Sequence, residues 1–230
     1  MTHVRLPLST RPAVSAACVL FGVLAVGHLV AQLVGAGGAA RLTQCLLMPV
    51  LAAVVWLVTT GVRRSRTVRL VLLALAFSWL GDSVPGLFSD DARFLTMVGL
   101  FLCAQVAYAA AFWSRWRESA LRRPSLVWYL LAFGVLVGAC AAGAGALLVP
   151  VLVYGACLTL MAVLATGVDR LAGVGGAVFF VSDGLIALGA FADWYHPPAP
   201  GFWVMLTYLV GQALIAAGVV RGERSAQLVG

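Results

Sequence analysis

Two aspartates, Asp82 and Asp183, lie inside apolar runs that are each long enough to cross a bilayer. Their settings match closely, reading Ala-Phe-Ser-Trp-Leu-Gly-Asp and Val-Phe-Phe-Val-Ser-Asp, which hints at an internal four-plus-four repeat. A carboxylate at membrane depth costs roughly 2.5–3.5 kcal/mol on insertion scales, so such residues usually face a wet or protein-lined interior. A buried pair of carboxyl groups can divide general acid and base roles, because mutual repulsion favours one proton on the pair. These two residues are the candidate catalytic residues.

Other polar side chains recur at helical spacing within apolar runs of the same kind. Ser78 lies one helical turn before Asp82 and shares its face, whereas Ser182 directly precedes Asp183 and points elsewhere. Because a polar group in hydrocarbon needs a hydrogen-bond partner, we expect the polar faces to point at one interior cavity. The candidates for binding substrate or water there are Ser78, Ser182, Gln105, Tyr108, Tyr154, Tyr208 and Gln212.

A purely structural interpretation of the same residues stays open. A lone serine, glutamine or tyrosine in a span more often makes an interhelical hydrogen bond than it takes part in catalysis. The aspartates could likewise belong to a structural network, for example Asp82 bonded to Tyr208 or Gln212. No lysine or arginine falls in the interior of a predicted span to neutralise the carboxylates, which favours the functional interpretation.

The elements that must position these residues are transmembrane helices. Of the 230 residues, 63% are hydrophobic and 10% are charged, whereas a soluble domain of this size carries about a quarter charged residues. A bilayer core about 30 Å thick needs about 20 residues per helix, and the apolar runs meet that length. The sequence therefore predicts an all-α, polytopic membrane bundle that forms one domain, residues 13–220. The predicted helices, about eight in number, are 13–34, 43–61, 69–88, 94–114, 125–146, 149–167, 173–192 and 201–220.

All 15 basic residues are arginines, and their distribution predicts the orientation of the chain. Most of them lie before the first helix, in the even-numbered loops or after the last helix. The odd-numbered loops are nearly neutral or acidic and hold Arg41, Asp90, Asp91, Arg93 and Asp193. By the positive-inside rule, both short tails, residues 1–12 and 221–230, are expected on the cytoplasmic side of the cell membrane. The net charge of +7 therefore reflects orientation and not nucleic-acid binding.

Cysteines and histidines do not suggest a metal site, a disulfide or a cofactor. The five cysteines lie within apolar runs and show no Cys-x-x-Cys spacing. The histidines, His3, His28 and His196, are scattered, and only His28 falls within a predicted helix. A zinc hydrolase needs three or four converging protein ligands, so we predict no metal and no cofactor. No feature of the sequence indicates an oligomeric state.

The two aspartate segments, residues 76–82 and 176–183, resemble the YhhN family of membrane proteins, whose animal members are lysoplasmalogenases. That family is typified by eight helices, Phe-Ser-x-x-Gly-Asp and Phe-x-x-Ser-Asp segments, and polar residues on the fourth, sixth and eighth helices. The resemblance covers roughly residues 40–220. It implies a hydrolase that takes lysoplasmalogen from the bilayer and cleaves its vinyl ether bond, with Asp82 and Asp183 as the acid–base pair.

The chain departs from the family pattern at two positions, and two other functions stay open. The family commonly shows Lys-Pro at the start of helix two, where this chain has Gln44 and no lysine, and it often has His where Gln105 stands. If those residues assist headgroup binding or proton transfer, specificity or activity differs here. The other functions are a proton-coupled small-molecule transporter and a non-catalytic lipid-binding protein. Neither aspartate segment shows the mid-span break that many carriers have.

Overall fold

The computed structural model describes residues 11–60 and 64–229, so most of the predicted N-terminal tail lies outside the described residues. Within the described ranges the chain is helical and contains no β-strand, which confirms the predicted all-α class. Short 3-10 turns join several of the helices. The eight α-helices are α1 (Arg11–Leu33), α2 (Gly37–Val58), α3 (Arg66–Ser83), α4 (Asp90–Phe112), α5 (Leu126–Ala144), α6 (Leu148–Ala165), α7 (Arg170–Phe191) and α8 (Pro200–Val229).

Seven segments of the described chain are long and apolar enough to cross a membrane. The number is seven because α5 and α6 are joined by a single 3-10 turn into one continuous apolar segment, Leu126–Ala165. The count of eight spans and the cytoplasmic orientation of both termini stay predictions. Helix α8 continues to Val229, well past the predicted end at residue 220.

Helix α2 begins earlier than predicted, which places Arg41 inside a helix and not in a loop. The reason is the turn before it, where Gly35 has a φ of +71°. A left-handed glycine after the last helical residues ends a helix and reverses the chain within a few residues. The amide of Ala36 donates to the carbonyl of Ala31 at 2.9 Å and closes this turn.

Helix α3 ends earlier than predicted and α4 begins earlier. Pro85 lacks a backbone N–H and cannot continue the α-helical hydrogen bonds, so α3 stops at Ser83 and a 3-10 turn follows. Asp90, Asp91 and Arg93, assigned to a loop by the sequence analysis, belong to the first turn of α4. Acidic residues in a first turn favour a helix start, because the helix N-terminus carries partial positive charge.

The chain divides into two compact units, the first comprising residues 1–111 and 216–230. In this unit α1 packs on α2, and α2 packs on α3. Nδ1 of His28 on α1 lies 3.0 Å from the carbonyl oxygen of Ala40 and 2.9 Å from the hydroxyl of Thr43. Nε1 of Trp79 on α3 donates to the carbonyl of Cys45 on α2 at 2.9 Å. Polar contacts therefore fix the mutual rotation of these helices beyond what apolar packing specifies.

The second compact unit comprises residues 112–215. Helices α5, α6 and α7 pack against one another, and glycines let α7 and α8 approach closely. A Cβ on Gly175 would lie 2.7 Å from the amide nitrogen of Ile215 and 2.8 Å from the carbonyl oxygen of Gly211. Small residues at helix contacts are typical of membrane bundles, where close packing replaces the hydrophobic effect. The prediction of a single eight-helix domain stays a prediction.

Candidate functional site

Asp82 lies in the last turn of α3 and is 6% exposed. Nε2 of Gln44 on α2 donates a hydrogen bond of 3.1 Å to its carboxylate oxygen Oδ1. The packing of α2 on α3 brings the two side chains together. An amide donor at this distance stabilises the carboxylate and fixes its orientation. Sequence reasoning treated Gln44 as a departure from a family pattern and did not predict this contact.

Arg41 secures the backbone around Asp82. Its Nη1 donates to the carbonyl of Asp82 at 3.2 Å, and its Nη2 donates to the carbonyl of Ser83 at 2.6 Å. These carbonyls lie at the C-terminal end of α3, where helix hydrogen bonds run out and the helix dipole favours a cation. A Cβ on Gly86 would lie 1.8 Å from Nη2 of Arg41, so only glycine leaves room for the guanidinium there. Arg41 thus caps the helix that carries the aspartate.

The other predicted residues of the first unit, Ser78, Gln105 and Tyr108, are fully buried. Gln105 is unusual because neither Oε1 nor Nε2 of its side chain has a hydrogen-bond partner among the described residues. A buried amide without partners costs about 1–3 kcal/mol and in native proteins is commonly satisfied by water or a ligand. On the same helix, the ring of Phe101 packs directly against Gly81 beside Asp82. Gln105 is therefore the residue of α4 best placed to accept an external polar group.

Asp183 lies near the middle of α7 and is 8% exposed. The hydroxyl of Tyr154 on α6 donates to its Oδ2 at 2.5 Å. Such a length is at the short end of the range for a hydroxyl bonded to an ionised carboxylate. Close packing of α6 and α7 makes this contact possible, since a Cβ on Gly176 would lie 3.0 Å from Cα of Ala162.

Of the remaining predicted residues of the second unit, Ser182 and Tyr208 lie in the contact between α7 and α8. The hydroxyl of Ser182 donates to the carbonyl of Val204 at 3.0 Å, so it makes an interhelical bond. The ring of Tyr208 meets Phe179 edge-on, with ring centroids 5.5 Å apart. Gln212 is fully buried and, like Tyr208, has further contacts. Ser182 and Tyr208 therefore help to hold α7 and α8 together.

One arrangement occurs in both units. In each, the carboxylate lies on the third helix and accepts a hydrogen bond from a polar side chain of the second, Gln44 on α2 or Tyr154 on α6. A buried carboxylate oriented by a hydrogen bond from a neighbouring helix is suited to proton transfer, which requires fixed geometry. Arg41 and Gln44 were missed, although the sequence contains a signal for each. Arg41 is an arginine in a connection that is otherwise predicted to be nearly neutral or acidic, and Gln44 interrupts an apolar run.

The cysteines and His28 are further reactive side chains among the described residues. Cys18 and Cys103 are exposed, Cys140 is buried, and all described cysteines are free thiols. His28 is fully buried in the contact of α1 with α2. Among the described residues, His, Cys, Asp and Glu side chains form no group of three or more that could hold a metal ion.

These features define a class of protein: a polytopic, all-helical integral membrane protein with a carboxylate buried among the helices of each of its two units. Across residues 39–219 the sequence matches the YhhN family, and the chain belongs to that family. The resemblance that the aspartate segments carry is thereby confirmed. No curated protein and no solved structure matches the chain.

Proposed function

We propose that this protein is a membrane-embedded hydrolase that cleaves the vinyl ether bond of lysoplasmalogen to a fatty aldehyde and a glycerophospho-alcohol. One observation carries the proposal: two aspartates are buried in apolar helices, and each accepts a hydrogen bond from a neighbouring helix. Membership of the YhhN family supports the same reaction class. Buried carboxylates in a membrane bundle are costly and mark function more often than packing.

The reaction needs an acid and a base. A protonated carboxyl group delivers its proton to the β-carbon of the vinyl ether, and an oxocarbenium ion forms at the carbon bonded to oxygen. Water adds to that carbon and gives its proton to the other carboxylate, which restores the pair. The hemiacetal then collapses to aldehyde and alcohol. In this proposal Asp82 and Asp183 supply the two carboxyl groups, in the way that two carboxyl groups divide the work in glycoside cleavage.

The hydrogen-bond donors have positioning roles in this proposal. Gln44 donates to one oxygen of the Asp82 carboxyl group and Tyr154 to one oxygen of the Asp183 carboxyl group, so both groups are held in a fixed orientation for proton exchange with substrate or water. The Gln105 amide, buried without a partner among the described residues, binds the attacking water or a substrate oxygen. Ser182 acts indirectly, because its hydroxyl ties α7 to α8 next to Asp183. A single-chain lipid enters sideways from the bilayer with its tail among apolar side chains.

Release of fatty aldehyde from lysoplasmalogen by purified protein in liposomes tests the proposal. Asp82→Asn and Asp183→Asn are each expected to lower the rate by about a hundredfold or more, since positioned acids and bases contribute about 10²–10⁴. The matched control is Asp193→Asn, which removes the same charge from an exposed residue between α7 and α8 and is expected to leave the rate unchanged. Thermal unfolding of every variant shows whether it is folded.

The assay also separates the proposal from its two rivals. Wild-type protein that binds lysoplasmalogen without releasing aldehyde is a lipid-binding protein, and this outcome overturns the hydrolase. Proton-coupled uptake of a solute into liposomes, lost in both aspartate variants, supports a carrier. Helix α7 favours the hydrolase, because it runs unbroken past Asp183, whereas carrier sites usually lie at broken helices.

A further inference from the structure

The connection between α4 and α5 carries a concentration of arginine and tryptophan. Its residues 113–125 read Trp-Ser-Arg-Trp-Arg-Glu-Ser-Ala-Leu-Arg-Arg-Pro-Ser, with four arginines and one glutamate. Both flanking helices belong to segments long and apolar enough to span a membrane, so the connection lies at a membrane surface. Neither the proposed reaction nor the buried carboxylates involve these residues.

This connection is held firmly and is not a loose linker. The amide of Ala120 donates to the hydroxyl of Thr166 at the end of α6, at 2.7 Å. Ser119 is fully buried, and its hydroxyl donates to the carbonyl of Trp116 at 2.7 Å. A Cβ on Gly167 would lie 2.5 Å from the carbonyl oxygen of Arg115, so the connection rests directly on the turn after α6. Its side chains therefore project from a fixed backbone, which lowers the entropic cost of binding a ligand.

Two of the arginines share one indole ring. The guanidinium carbons of Arg117 and Arg122 lie 5.4 and 5.7 Å from the centroid of the Trp116 ring, within cation–π range. Trp113 stacks on Trp116 with ring centroids 6.4 Å apart. Arg115, in contrast, is paired with Glu118 at 3.2 Å. The exposed positive charge beside Trp116 therefore comes from Arg117 and Arg122.

The other arginine-rich connection, between α2 and α3, offers a useful contrast. There Arg64 lies over the ring of Trp56, with 3.5 Å from its guanidinium carbon to the ring centroid, and its Nη2 donates to the Trp56 carbonyl at 3.2 Å. The Arg64 guanidinium is therefore engaged in contacts with Trp56 of the same chain. Arg66 and Arg69 nearby are exposed on the first turn of α3 and lie on no aromatic ring among the described residues.

We propose that Arg117 and Arg122, arranged on Trp116, form a binding site for the phosphate headgroup of an anionic phospholipid such as phosphatidylglycerol. The planar guanidinium group matches phosphate oxygens in a two-bond geometry that an ammonium group does not offer. Tryptophan favours the headgroup depth of the bilayer, where its apolar ring and its N–H are both satisfied. Basic residues at the ends of membrane helices are a known means of selecting anionic lipid. This site does not depend on the proposed hydrolase activity.

Native mass spectrometry of the full-length protein in detergent, titrated with phosphatidylglycerol or phosphatidylcholine of the same chains, tests the site. Wild-type protein is expected to bind phosphatidylglycerol about tenfold or more tightly than phosphatidylcholine. In the double variant Arg117→Gln with Arg122→Gln, affinity for phosphatidylglycerol is expected to fall about thirtyfold or more, since two charge-assisted contacts to the phosphate are lost. The control, Arg66→Gln with Arg69→Gln, removes the same charge outside the site, where only screened long-range attraction is lost, and is expected to lose less than about threefold.

Three outcomes overturn the proposal. Equal affinity of wild-type protein for the two lipids removes the selectivity. A loss in the control as large as that in the Arg117/Arg122 variant shows that net charge alone attracts the lipid. Full retention in Arg117→Lys with Arg122→Lys, which keeps both charges, shows that the guanidinium geometry on Trp116 does not matter; the expected loss there is about fivefold or more.

Discussion

The hydroxyl of Tyr154 donates to Oδ2 of Asp183 at 2.5 Å and joins α6 to α7. Both residues come from apolar helices in which a polar side chain has few alternatives to a protein partner. An aspartate held in this way has a fixed orientation, which a general acid or base requires.

Removing this hydroxyl is expected to slow the reaction and leave binding largely intact. Tyr154→Phe should lower kcat for aldehyde release by about 10–100-fold, because hydrogen bonds to charged groups contribute about 1.5–3 kcal/mol. KM should change little, since the ring remains in place. Tyr129→Phe, on α5 of the same unit, is the matched control. Equal rates for the two variants would remove Tyr154 from the mechanism.

The Gln44 amide is expected to assist the reaction because its N–H donates to the carboxylate of Asp82. Gln44→Leu removes a donor to a carboxylate and should lower kcat about 10–100-fold, because hydrogen bonds to charged groups contribute about 1.5–3 kcal/mol. Gln44→Glu places a carboxyl group where that donor stood, so repulsion between like charges should lower the rate further. The order wild type, Leu, Glu in a steady-state aldehyde assay supports the contact. A Glu variant as active as wild type contradicts it.

Substitutions at Arg41 and Gly86 are expected to have coupled effects on the free energy of unfolding. Gly86→Ala puts a Cβ where the guanidinium lies, so it should displace Arg41 from the end of α3 and resemble Arg41→Gln. Because Arg41 is exposed, each variant should lose only about 1 kcal/mol of stability. The double variant should lose little more than either single variant, as coupled residues do. Additive losses in thermal unfolding would show that the two residues act separately.

The close approach of α7 and α8 at Gly175 is expected to be intolerant of a methyl group. In Gly175→Ala the nearest obstacles are backbone atoms of Ile215 and Gly211, which can move only if α8 moves. The variant should therefore lose about 1–3 kcal/mol. Gly189→Ala, at a helical position of α7 where an added Cβ would meet no other part of the chain within 4 Å, should change stability by less than about 1 kcal/mol. Apparent melting temperatures in one detergent compare the two, and equal values contradict the packing.

Much of the fold follows from the sequence, because a bilayer demands helices wherever a long apolar run occurs. Helix ends were harder to predict, since they depend on single residues: Gly35 shortened the turn before α2, and Pro85 ended α3. The aspartates and Tyr154 stood out by type alone. The hydrogen bonds that join Tyr154 to Asp183 and Gln44 to Asp82 could not be predicted, because they depend on how each helix is rotated against its neighbour. Gln44 was missed for that reason.

The single most informative experiment follows the proton. Purified protein hydrolyses lysoplasmalogen in D₂O, the aldehyde is trapped at once as a hydrazone, and its mass is measured for wild type, Asp82→Asn, Asp183→Asn and the Asp193→Asn control. The expected result is one deuterium on the aldehyde's α-carbon, because the acid protonates that carbon, with formation about a hundredfold or more slower in Asp82→Asn and Asp183→Asn only. Aldehyde without deuterium, or full activity in either of these two variants, would contradict the mechanism.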